Sequence, residues 1–123
     1  MLRYSNDGFP KVVDYLYDHF DEFKLLLTSG ENSVYQEFIH RVVELDTECT
    51  AKYIEASGND AITSGRLTPE LNHLLSSAFY TGMFEVIIHD MPKAQALEHI
   101  RKMRRFYTAG WQTIFSTDGG DVV

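Results

Sequence analysis

A single cysteine, Cys49, in 123 residues excludes an internal disulfide framework. No charged-then-apolar leader opens the chain, so the expectation is a cytoplasmic protein. Basic charge is scarce: 11 Lys and Arg stand against 18 Asp and Glu, a net charge of −7. Such a field repels phosphate backbones and anionic lipid, and binding of nucleic acid through this chain alone is not expected. The strict alternation of a strand is missing, and with it the setting for a glycine-rich phosphate loop after a strand. Ser76-Ser77 likewise lacks the strand-turn-helix context of a hydrolase elbow. One long apolar run exists, Leu71 to Ile88, in which only Glu85 is formally charged. A membrane-spanning helix needs ~20 mostly apolar residues. Asn72, His73, Ser76, Ser77, Thr81, Gly82 and Glu85 would be costly in lipid, so no membrane partner is expected.

What is present is ordinary for a folded protein: 44% hydrophobic and 24% charged residues. The length suits one core, giving a single domain over 1–123 with loose ends at 1–8 and 117–123. Four amphipathic segments predict an all-α helical bundle with helices at about 10–28, 33–57, 68–90 and 92–115. In the first, Val13, Leu16, Phe20, Phe23 and Leu27 recur at spacings of three and four, between Pro10 and a Ser29-Gly30 stop. The second repeats this with Tyr35, Phe38, Val42, Leu45 and Cys49, opposite Glu37, Arg41, Glu44 and Glu48. Ser33 and Gln36 suit a capping box at its start, and Gly58-Asn59 closes it. Thr68-Pro69-Glu70 is a cap followed by proline at the first helical position, and Pro92 forces the third helix to stop near Met91.

Plotted at about 100° per residue, the second helix has one apolar side. The fourth carries apolar residues over roughly half its circumference, and the third points Phe79, Tyr80, Met83, Phe84, Val86, Ile87 and Ile88 in nearly every direction. A chain of four helices is expected to be too small to surround the third. A second copy covers the excess if the last two helices of each subunit form an intersubunit four-helix bundle. The expected homodimer interface comprises Tyr80, Phe84, Ile87, Ile88, Phe106, Gly110, Trp111 and Ile114. Gly82 and Gly110 are then either incidental or sites where close backbone approach offsets their poor helix propensity.

The runs HFDEFKLLL (19–27), YQEFIHRVVELD (35–46) and FEVIIHDMPKAQALEHIRKMRRFYTAGWQTIF (84–115) resemble the C-terminal regulatory region of TetR-family transcriptional regulators. The likeness is to the branch with FE-x-x-x-HDM followed by an aromatic-Gly-Trp, and it covers about Val12 to Phe115. It implies an all-helical effector domain of a transcriptional repressor, dimerising through its last two helices and enclosing a pocket for a small-molecule effector. The family's basic helix-turn-helix head does not precede Val12. The expectation is a regulatory domain separated from its DNA-reading unit, the alternative a natural chain without that head. A free-standing helical adaptor that holds a different protein is the other reading of the same surplus surface.

Chemistry-bearing residues point less far. Glu37-Phe-Ile-His40 and Glu70-Leu-Asn-His73 are Glu-x-x-His pairs of the kind di-iron bundles use. Both fall away from the apolar faces, and the two further inward glutamates are missing, so neither a metal nor another cofactor is assigned. Cys49, placed on the apolar stripe, reads as a small hydrophobe. Arg101-Lys102-Met103-Arg104-Arg105 reads as a solvated helix face. No catalytic residue is assigned, and the chain is not expected to be an enzyme. Two polar residues interrupt the pattern: Asp46 falls in the apolar arc of the second helix and His19 in that of the first. Either they pair with each other, with Lys24 or with backbone and fix register, or they are the polar groups of a ligand pocket walled by Phe20, Phe23, Phe38, Val42, Cys49, Phe79 and Met83.

Overall fold

The computed structural model describes residues 8–28 and 32–116, with side chains from residue 10 and from residue 34 onward in each stretch. The Ser29-Gly30 stop and the Ser33 side chain of the expected capping box lie outside these described residues, as do the chain ends at 1–7 and 117–123. Within them the protein is all-helical: α1 (Gly8–Asp18), α2 (Phe20–Thr28), α3 (Asn32–Ser57), α4 (Pro69–Ile88) and α5 (Lys93–Phe115). The expected first helix is thus two helices, broken at His19. Helical hydrogen bonds continue on either side of the break, from His19 N to Tyr15 O (3.2 Å) and from Phe23 N to His19 O (3.0 Å). The break is therefore a bend. Its reason lies in packing: α1 rests on α5 whereas α2 rests on α3 and α4, and one straight rod does not follow both.

α4 is the axis of the molecule. Thr68 caps its start by accepting from Leu71 N (3.1 Å), with Pro69 at the first position, as the sequence predicts. Its end is closed by Met91 N donating to Val86 O (2.9 Å), with Asp90 in the left-handed region at φ 55°. The chain then turns through Pro92 into α5. Tyr80, Met83, Phe84, Val86 and Ile87 of α4 are all buried inside this one chain. The expectation that four helices cannot surround such a segment is therefore corrected. With α1 and α2 separated by a bend, α4 meets α2, α3 and α5 at once.

α3 corrects the second apolar stripe. Its fully buried residues are Val43, Asp46, Thr50 and Ile54, while Leu45 is 59% exposed and Cys49 is exposed. Tyr35, Phe38, Ile39 and Val42 are half-buried at its beginning. The buried face lies about a quarter turn from the stripe read by apolarity. Two of its four central members are polar, and a search for hydrophobic residues passes over them.

Two cores result. The larger gathers Val13, Leu16 and Leu27 with the α4 residues above and with Ala96 and Ile100. The smaller joins Ile54, Ala61, Leu67 and Trp111. Between them, residues 58–68 form a clasp. Gly58 turns the chain at φ 73°, and Asn59 Nδ2 donates to Phe115 O (3.1 Å) while its Oδ1 accepts from Ala61 N (2.8 Å). Arg66 Nε donates to Ile114 O (2.8 Å), and its guanidinium also pairs with Asp60. The last carbonyls of α5, which have no intrahelical partner, are thereby capped by two side chains of the clasp between α3 and α4.

Candidate functional site

Asp46 is 2% exposed, as its place in the arc predicts. Two of its partners are hydroxyls of α4 that its place in the sequence did not point to. Ser76 Oγ donates to Asp46 Oδ2 (2.8 Å) and Tyr80 OH to Oδ1 (3.3 Å). Asn72, Ser76 and Tyr80 stand four residues apart, so they form one row on α4 that meets Thr47 and Asp46 on α3. At the end of the row Asn72 Nδ2 donates to Thr47 O (3.2 Å). Asn72 Oδ1 is buried and has no hydrogen-bond partner among the described residues. Such an acceptor costs about 1–3 kcal/mol. The row was visible in the sequence as three polar residues at intervals of four inside an apolar helix, but its meaning needed the opposite helix.

His19 does not join Asp46. Its side chain is 47% exposed at the bend, with Nδ1 2.9 Å from Glu22 and its ring 4.6 Å from that of Tyr15. Lys24 is engaged elsewhere, donating to Asp90 (2.6 Å) and to Ile88 O (3.2 Å), where it helps close the end of α4. Of the nine residues predicted to line a ligand pocket, Phe20, Phe23, Phe38, Val42, Phe79 and Met83 belong to or pack against the larger core. Asp46 touches that core through Tyr80, and His19 and Cys49 point to solvent. The rings fill the space between helices: Phe38 lies 6.3 Å from Phe23 and 5.4 Å from Phe84, and Phe79 lies 5.2 Å from Tyr107. Both Glu-x-x-His pairs lie at the surface, with His40 Nε2 3.2 Å from Glu44. Among the described residues no three of His, Cys, Asp and Glu gather as metal ligands would, and no helix is long and apolar enough to cross a membrane.

The predicted interface residues divide in a similar way. Tyr80, Phe84, Ile87 and Trp111 are buried within their own chain, although Trp111 still lines a hollow beside Phe106. Ile88 and Ile114 are half-buried, whereas Gly110 is exposed and Phe106 is 75% exposed. Phe106 stands between two open hollows on the outer side of α4 and α5. One, of about 530 Å³, is lined by Gly82, Val86, Met91, His99 and Met103 among others. The second, of about 420 Å³, is lined by Leu75, Tyr107, Gly110 and Ile114 among others. The adjoining row of α4 is Leu74, Ala78 and Gly82, with Leu74 63% exposed. A methyl group added at Gly82 would lie 3.1 Å from Met103 Cε, so this glycine allows a close approach of α4 and α5 within the chain, while Gly110 has nothing within 4 Å. Compared with known proteins, the chain matches no family profile, no curated protein and no solved structure.

Proposed function

We propose that this chain is the ligand-sensing and homodimerisation domain of a TetR-like transcriptional regulator, pairing with a second copy through the outer face of α4 and α5. The observation that carries the dimer is Phe106, a large aromatic ring left 75% exposed on the last helix with a hollow on each side. In a two-fold arrangement the same patch meets itself, so each Phe106 has a partner hollow to enter. Leu74, Ala78, Gly82 and Gly110 flank it with small and apolar groups that permit close helix contact. The core and interface assignments of the sequence change accordingly: the surface offered is Phe106, Gly110 and the Leu74 row, with Trp111 and Ile114 in the wall of one hollow and Tyr80, Phe84 and Ile87 in the core. What supports the effector half of the reading is the resemblance of the three sequence runs to regulatory regions, in which effector binding shifts the pose of the subunits.

Size-exclusion chromatography with light scattering tests the pairing. A dimer burying about 1,200–2,000 Å² in total should persist at micromolar concentration. Phe106→Glu, at a position already exposed, should yield a folded monomer, since a carboxylate loses the apolar contacts the ring makes in the partner hollow and is costly to desolvate there. A wild-type chain that elutes as a well-folded monomer overturns the dimer and favours the adaptor reading.

A further inference from the structure

The two hollows beside Phe106 differ in chemistry, and the difference selects one of them. The hollow toward the end of α5 is walled by Leu75, Trp111, Thr113 and Ile114 around Gly110, and no charged residue lines it among the described residues. The other, toward the start of α5, includes Glu85, His89, His99 and Lys102. A ring entering the charged hollow strips water from these groups, whereas the first hollow has no charged group to desolvate. Gly110 adds room, since a methyl group built there has nothing within 4 Å. Knob and hole therefore lie on one helix, a single turn and about 6 Å apart along it.

We infer that a second copy seats its Phe106 over Gly110, with the two α5 helices antiparallel and the two-fold axis crossing them near Thr108. This rests on the pairing proposed above and adds its register. A two-fold axis running along α5 would set Phe106 against Phe106 and leave both hollows empty. An axis across α5 brings residue 106 of each copy opposite residue 110 of the other, so one operation seats both rings. A seated aromatic ring buries about 150–250 Å², and the two together supply a sizeable share of a specific interface. The charged hollows then lie toward the two ends of the pair, away from the axis.

Light scattering over a concentration series, with helix content from circular dichroism, reads this contact in the full chain. Gly110→Leu fills the hole from an exposed position with open space around it, and leucine suits a helix better than glycine, so the variant should fold as wild type does. Its dimer dissociation constant should rise by about tenfold or more, because two apolar rings are unseated. His99→Trp crowds the charged hollow instead and should leave the constant within about threefold of wild type. Orientation is read by a spin label on the exposed position 95, as Gln95→Cys with the exposed native thiol removed by Cys49→Ser. The antiparallel pair should place the two labels roughly 40 Å apart, and a parallel pair under about 25 Å. A monomeric wild type overturns the pairing itself and this register with it. A dimer as tight in Gly110→Leu as in wild type, one broken by His99→Trp, or the short label distance overturns the register and leaves the pairing standing. If Gly110→Leu does not fold, the label distance decides.

Discussion

At the scale of single residues, Asp46 is the side chain whose role changes most between sequence and structure. Its burial was readable from helical angles alone. Its partners were not, because a wheel gives the direction of a residue and says nothing about what stands opposite. Ser76 and Tyr80 stand there, and each gives the carboxyl a hydroxyl hydrogen. Asp46→Ala should lower unfolding free energy by about 1–3 kcal/mol, measured by urea denaturation, because it leaves those hydroxyls buried without this acceptor. Replacing all three, as Asp46→Leu with Ser76→Ala and Tyr80→Phe, should recover most of the loss, since both hydroxyls leave together with their acceptor. An Asp46→Ala midpoint equal to wild type would show that this contact contributes nothing. His19 and Cys49 failed as candidates for the same reason that Asp46 succeeded only in part. A bend after Asp18 turns the first residue outward, and a rotated buried face on α3 leaves the second in solvent.

At the scale of elements, caps and stops were legible wherever the signal was local. Thr68-Pro69, Gly58-Asn59 and Pro92 fall where backbone chemistry demands. The break between α1 and α2 was not, because no proline or glycine marks it and its cause is the divergence of the surfaces the two halves cover. Two ion pairs, one inside the clasp and one between α1 and α5, set a pH window. The Arg66 guanidinium hydrogen-bonds Asp60 and holds its carboxyl below the ordinary value of 3.8. The folded state then binds that proton less tightly than the unfolded chain, so the contribution is present above this value and lost as pH falls through the folded one. Lys93, hydrogen-bonded by Asp14 at 2.7 Å, is held above its ordinary 10.5. Its contribution is complete below that value and lost as pH rises through the folded one. Burial pushes the Tyr17 hydroxyl, which donates to Met91 O, upward in the same sense. Urea midpoints should therefore decline below about pH 4 and above about pH 10. In Arg66→Met the acid decline should be shallower, and an unchanged acid limb would show that Asp60 has no part in it.

At the scale of the whole molecule, the surplus of apolar surface was legible and its distribution was not. The third predicted helix points apolar groups in every direction because it is the axis of its own chain, and α2, α3 and α5 use most of what it offers. The fourth keeps Phe106 outside. The clasp at 58–68 has a further effect on the molecule as a whole, in time. Arg66 reaches a carbonyl 48 residues away and Asn59 one 56 residues away. Closing so long an interval costs chain entropy before either bond forms, whereas α3 and α4 pack across a short connection. The clasp should consequently form after the rate-limiting step and be the first long-range contact to open. In stopped-flow experiments Arg66→Met should raise the unfolding rate and leave the refolding rate near wild type. A slower refolding limb would place the clasp in the folding nucleus. With the expected result, Arg66 governs how long each folded molecule lasts and has little influence on how quickly it is made.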